Sequence, residues 1–117
     1  MDKYACSTYL LNTFSINMLS ENDIVVAFKK VSASEAQKLL KRGPYPIVNA
    51  IGHADTDRLV RAELGLELPE GSRVSVTIRR GDNVIIAQYR GPRLPEGATK
   101  LPEESEIEYW KANTLFE

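Results

Sequence analysis

A chain of 117 residues has the length of one domain, so any site uses a single core, and a deep pocket is expected between two copies rather than inside one. Hydrophobic residues at 43% and charged residues at 26% exclude a disordered chain, and no apolar run is long enough to span a bilayer. A net charge of −1 argues against a protein that grips long nucleic acid by counterion release, while a short anionic ligand needs only a few local donors.

The first element is an apolar, β-prone run, Thr8-Tyr9-Leu10-Leu11, which turns through Asn12-Thr13-Phe14-Ser15 into a short helical stretch carrying Ile16, Met18 and Leu19. Ile24 to Phe28 reads as a second strand. Ser32 and Glu35 have capping-box spacing at the head of a helix running to about Arg42, where Gly43-Pro44-Tyr45-Pro46 stops it. Pro46 to Ile51 reads as a short buried strand ended by Gly52, and Asp55-Thr56-Asp57 opens a helix with apolar Leu59, Val60 and Leu64 and a stop at Gly65.

Arg73 to Arg79 alternates strictly and is followed by Arg80-Gly81-Asp82-Asn83 and then Val84 to Tyr89, which predicts a β-hairpin. A Gly/Pro-rich loop, Arg90 to Gly97, leads to Pro102-Glu103-Glu104, which predicts a final acidic helix carrying Tyr109 and Trp110, with Thr114-Leu115-Phe116 returning as a last strand. The pattern is that of a single α/β domain over residues 1–117, with a mixed sheet of about five or six strands and helices packed on it.

No basic stretch with a following apolar run opens the chain, so a cytoplasmic protein without a membrane segment is expected. The lone cysteine, Cys6, has no disulfide partner, and one cysteine with one histidine is too thin a set for zinc. No metal and no other cofactor is expected; a carboxylate-bound magnesium is the one arrangement left open. Phosphate-loop, nucleophile-elbow and dinucleotide-glycine patterns are all missing, and Arg80-Gly81-Asp82 sits where Gly and Asp serve turn geometry.

His53 follows a strand and a glycine and precedes a helix start, a position at the C-terminal edge of the sheet where ligands gather and helix N–H groups favour phosphate. Spacing alone leaves open whether it is a catalytic group or an ordinary surface or core histidine. In Arg93-Leu94-Pro95-Glu96-Gly97, the guanidinium is able to hold a phosphate and Glu96 to orient it, although a solvated ion pair has the same spacing. Asn12 and Ser15 have the residue types of helix caps as well as of ligand contacts.

Three segments taken together, Leu10 to Leu19, Asn49-Ala50-Ile51-Gly52-His53 and Arg93 to Gly97, resemble the viral anti-CRISPR ring nucleases in order and spacing over most of the chain. The resemblance implies a homodimer enclosing cyclic tetra-adenylate, the messenger of type III CRISPR defence, and cutting it without metal to linear di-adenylate with a 2′,3′-cyclic phosphate. It further implies His53 as general acid, Arg93 as the phosphate-stabilising arginine and Glu96 as its neighbouring acid. Asn12, Thr13, Ser15 and Gly52 fall on ligand-contacting segments, and Gln88 corresponds to a family glutamine, with Pro92 lengthening the intervening loop by one residue. Asp55 stands where the family often has serine, which places an added negative charge near the phosphates. Two other readings are a module that sequesters a cyclic nucleotide without cutting it and a small nucleic-acid-binding regulator, against which the acidic balance counts.

Overall fold

The computed structural model describes residues 7–42, 46–79 and 81–115. Cys6, the expected helix stop at 43–45, Arg80 and Phe116 lie outside the described residues. Strands β1 (Thr8–Leu11), β2 (Val25–Val31), β3 (Ile47–Asn49), β4 (Asn83–Arg90) and β5 (Glu106–Leu115) form one mixed sheet in the order β2-β5-β4-β1-β3. Helix α1 (Ala33–Arg42) joins β2 to β3, and α2 (Ala54–Leu64) lies between β3 and β4. The expected α/β architecture is therefore what the chain adopts.

Local chemistry sets the helix ends. Ser32 Oγ accepts the Glu35 N–H at 3.0 Å ahead of α1, and Gly65 closes α2 in a left-handed conformation (φ 66°) with its N–H on the Arg61 carbonyl. Both helices pack on one face of the sheet, where Ala36, Leu40, Leu59, Val60 and Leu64 meet Leu10, Ile85, Ala87 and Tyr109. The Tyr109 hydroxyl donates to Glu63 Oε1 at 2.6 Å, and burial together with that carboxylate holds the phenol well above its ordinary pKa. No α-helix covers the opposite face among the described residues. There Leu11, Val84, Ile86 and Ala112 are roofed by Ile78 and, partly buried around it, Phe14, Met18, Leu19 and Val76.

That roof corrects the expected hairpin. The alternating run from Arg73 does not pair with β4, because β1 and β5 already occupy both edges of β4. Ile78 instead makes an isolated parallel bridge to Leu19, with its N–H on the Met18 carbonyl at 2.6 Å and its carbonyl accepting from Ser20 at 3.1 Å. The side chain of Asp82 finishes the turn by accepting from the Arg79 N–H at 2.8 Å and the Ser7 N–H at 2.9 Å.

The expected final helix is also absent. Residues 106–115 form β5, the longest strand, flanked by β4 and β2. Its period is two rather than 3.6: Ile107 and Tyr109 point to the helix-covered core, whereas Trp110 and Ala112 point to the other. Thr114 and Leu115 are the end of this strand rather than a separate one. Glu108, on β5, receives Arg90 Nε at 2.9 Å and Lys30 Nζ at 3.3 Å, joining the three adjacent strands through one carboxylate.

A buried polar cluster fixes the turn from β3 into α2. Asp57 is 2% exposed, and its carboxylate accepts Asn49 Nδ2 at 2.7 Å, the Gly71 N–H at 3.0 Å and Arg61 Nη2 at 2.9 Å. Asn49, itself buried, also donates to the Pro69 carbonyl at 2.8 Å and accepts the Ile51 N–H at 3.1 Å. Gly71 admits no side chain here: a Cβ would lie 2.5 Å from the Ile51 carbonyl and 2.9 Å from the Asp57 carboxylate.

Two expectations follow from these contacts. Asp57→Ala leaves the Asn49 amide and the Gly71 N–H buried without an acceptor, and it should cost about 3 kcal/mol in urea unfolding; a loss below about 1 kcal/mol would show that the cluster is not holding the turn. For Glu108, burial pushes its carboxyl up, but the bonds from Arg90, Trp110 and Lys30 outweigh this and hold it below the ordinary value. A depressed folded-state value stabilises the protein above the ordinary carboxylate range and loses that contribution as pH falls through the folded value. Unfolding followed from pH 7 into acid should thus show a steeper loss for the parent protein than for Glu108→Gln.

Candidate functional site

Strands β3, β1 and β4 are parallel, so their C-terminal ends lie along one edge of the sheet. That single edge collects the segment after β1 (Asn12, Thr13, Ser15), the segment after β3 (Gly52, His53) and the end of β4 with its loop (Gln88, Arg93, Glu96). These residues are far apart in sequence and converge because β1 lies between β3 and β4, where the chain direction across the sheet reverses.

On the helix-covered side of this edge, His53, Asp55, Thr56, Tyr89, Arg93 and Glu96 line an open hollow of about 750 Å³. His53, Arg93 and Glu96 are exposed, and the latter two side chains make no hydrogen bond or ion pair among the described residues. The hollow therefore offers an imidazole, an uncommitted guanidinium and an uncommitted carboxylate.

His53 is the N-cap of α2. Its backbone is extended (φ −103°, ψ 113°), and Nδ1 accepts the Thr56 N–H at 3.2 Å. The cap serves a helix whose first N–H groups lack partners within the helix. An accepting Nδ1 puts the proton of the neutral ring on Nε2, which is left to meet a ligand. Thr56 Oγ1 stands 3.1 Å from the same Nδ1, placed to accept a hydrogen bond from it when that nitrogen carries a proton. The cap is thus His53 and not Asp55, whose carboxylate accepts from Arg58 Nη1 and from the Gly97 N–H.

Loop shape comes from two further constraints. The Tyr89 hydroxyl donates to the Pro92 carbonyl. At Gly91 (φ 153°) a Cβ would fall 2.4 Å from Ser105 Cβ, so the loop leaves β4 against Ser105 with no room for a side chain.

The other expected ligand residues divide. Thr13 and Gln88 line a second hollow, of about 440 Å³, with Phe14, Phe28, Ile86 and Trp110. It lies on the opposite face, since Ile86 and Trp110 belong to the second core. The rings of Phe14 and Phe28 meet edge to face at 5.2 Å. Ser15 Oγ accepts the Asn17 N–H at 3.3 Å and caps the 3-10 turn Ile16–Met18. Asn12 is half-buried between β1 and that turn. Gly52 stands against Arg73, whose Cγ would be 2.6 Å from a Cβ placed there.

Arg73 was not among the expected site residues. It comes from the segment taken for a hairpin strand, is exposed, and brings a guanidinium beside the β3–α2 turn without an ion pair among the described residues. The contacts of 69–72 with Asn49 and Asp57 bring it there.

No helix among the described residues is long and apolar enough to cross a membrane. They also hold no cluster of three or more His, Cys, Asp and Glu side chains suited to a metal ion.

B116 of Sulfolobus turreted icosahedral virus is similar in structure, with a TM-score of 0.72 and 28% identity over 92% of this chain and 98% of that one. An uncharacterized protein, ORF117, of Acidianus two-tailed virus is 31% identical over 97 residues, which is 83% of this chain and 80% of that protein. Both relatives are proteins of archaeal viruses. Residues 8–114 match the STIV B116-like family, and the chain belongs to that family of viral proteins.

Proposed function

We propose that the protein is a metal-independent ring nuclease that cuts cyclic tetra-adenylate to linear di-adenylate with a 2′,3′-cyclic phosphate, and thereby inhibits type III CRISPR defence in the host cytoplasm. The observation that carries this reading is the meeting of His53, Arg93 and Glu96, from segments 40 residues apart, in one open hollow. Their exposure and the uncommitted guanidinium suit an anionic ligand arriving from solvent.

In this reaction a ribose 2′-oxygen attacks the adjacent phosphorus in line with the departing 5′-oxygen. The bond from 2′-oxygen to phosphorus forms, the bond from phosphorus to 5′-oxygen breaks, and the 2′-hydroxyl proton passes to water. The nucleophile belongs to the substrate, so holding it in line supplies much of the rate. His53 acts as the imidazolium: it delivers the Nε2 proton to the 5′-oxygen and keeps the one on Nδ1, which donates to Thr56 Oγ1 in place of the capping bond. Arg93 stabilises charge on the phosphoryl oxygens, and Glu96 orients groups in the site. A ring of four nucleotides has four phosphodiesters in two opposed pairs, and cutting both members of one pair gives two di-adenylates, which suits a homodimer presenting one His53 from each copy.

The runner-up is a binding module that sequesters the same ligand, and the capping bond of His53 favours it by giving the imidazole a structural task. Pure protein incubated in chelator with an excess of cyclic tri-, tetra- and hexa-adenylate separates the two, because a sponge leaves the excess intact while an enzyme converts it to products identified by mass. His53→Ala removes both the acid and the helix cap, whereas His53→Asn removes the acid and keeps a capping acceptor. We expect His53→Asn to lower cleavage by about 10²- to 10⁴-fold with binding kept within a few-fold. Cleavage at the parent rate in that variant would refute the acid assignment.

A further inference from the structure

Side chains from the first turns of α2 grip the backbone of the loop that carries Arg93 and Glu96. Asp55 Oδ2 accepts the Gly97 N–H at 3.3 Å, and Arg58 Nη1 donates to the Ala98 carbonyl at 3.0 Å. The two are joined to each other by Arg58 Nη1 to Asp55 Oδ1 at 3.1 Å. Within the loop, the Ala98 N–H returns to the Pro95 carbonyl at 3.1 Å with Gly97 at φ 76°, a turn that puts Glu96 at its outer corner.

Arg58 is 47% exposed on its side chain, so its ion pair with Asp55 is of little worth by itself. Its effect is geometric. Two consecutive loop residues are held by two side chains one helical turn apart, and the same first turn carries the Nδ1 contact of His53 through Thr56. The clamp therefore refers the loop and the imidazole to one rigid body.

We infer that Asp55 and Arg58 are positioning residues, a clamp that sets Arg93 and Glu96 against His53 across the hollow. The catalytic consequence rests on the ring-nuclease reading; the ordering of the loop does not. Asp55 then acts through loop placement, its charge taken up by Arg58 and an amide, rather than as a free anion facing the ligand phosphates.

The test compares the parent with Asp55→Ala, Arg58→Ala and the conservative Asp55→Asn, which keeps one acceptor oxygen. Hydrogen exchange without ligand should quicken about tenfold in residues 91–98 for both alanine variants and stay unchanged in β4 and β5. Single-turnover cleavage of cyclic tetra-adenylate at saturation should fall about 10- to 100-fold with half-saturation moved much less, and Asp55→Asn should recover part of the loss. Loop exchange equal to the parent's in both alanine variants overturns the clamp, and a loosened loop with an undiminished saturated rate overturns its positioning role. A parent protein that leaves cyclic tetra-adenylate intact sinks the ring-nuclease reading instead, and loop exchange still decides whether the clamp exists.

Discussion

The buried carboxylate of Asp57 is the constraint on which the rest of the site depends. A charge this well buried is tolerated only when every acceptor position is answered, and here Asn49 from β3, the Gly71 N–H from the following connection and Arg61 from the next turn of α2 all answer it. Those partners belong to three separate pieces of chain. Satisfying one side chain thus locks the end of β3, the start of α2 and the 69–71 connection into a single relative placement. Just ahead of the cluster, the His53 carbonyl accepts the Asp57 N–H at 2.9 Å, so the imidazole is anchored one helical turn from the buried charge.

Sheet topology then brings the other parts to that anchor. The connection from β3 through α2 to β4 passes over β1 while keeping the strands parallel, so their C-terminal ends share an edge. Opposite faces of that edge differ in chemistry. The helix-covered side has a polar hollow around His53 and Arg93, whereas the other side has an aromatic hollow around Phe14, Phe28 and Trp110. Alternation along β4 divides them, because Gln88 and Tyr89 point in opposite directions.

His53 combines two duties through its two nitrogens. Nδ1 is held by the helix it caps, which fixes the ring's direction; Nε2 remains for the hollow. In the neutral ring the bond that orients the imidazole also stabilises the helix start; a proton on Nδ1 turns that nitrogen to Thr56 Oγ1 instead, so capping through Nδ1 and a charged ring exclude each other. Replacing His53 by a residue unable to cap therefore alters the start of α2 as well as the hollow.

Much of the fold was legible residue by residue. Ser32 and Gly65 announce helix ends, β1, β2 and β3 follow from short apolar runs, and the order of strands and helices implies a mixed sheet. Local readings failed at 73–79 and at 102–113 for one shared reason: the partner of an extended segment is chosen by the whole sheet. Strict alternation at Val74, Val76 and Ile78 is compatible with pairing beside β4 or lying over it, and occupation of both edges of β4 selects the second. Tyr109 and Trp110 suit a helix or a strand until opposite cores receive them on alternate faces. What the amino-acid order determined by itself was where His53, Arg93 and Glu96 stand relative to strands, turns and helix starts, because those depend on neighbours a few residues away. Their convergence, the approach of Arg73 to Gly52, the clamp from Asp55 and Arg58 and the buried Asp57 were decided only by the tertiary structure, since each joins groups whose separation in space is set by the packing of other elements.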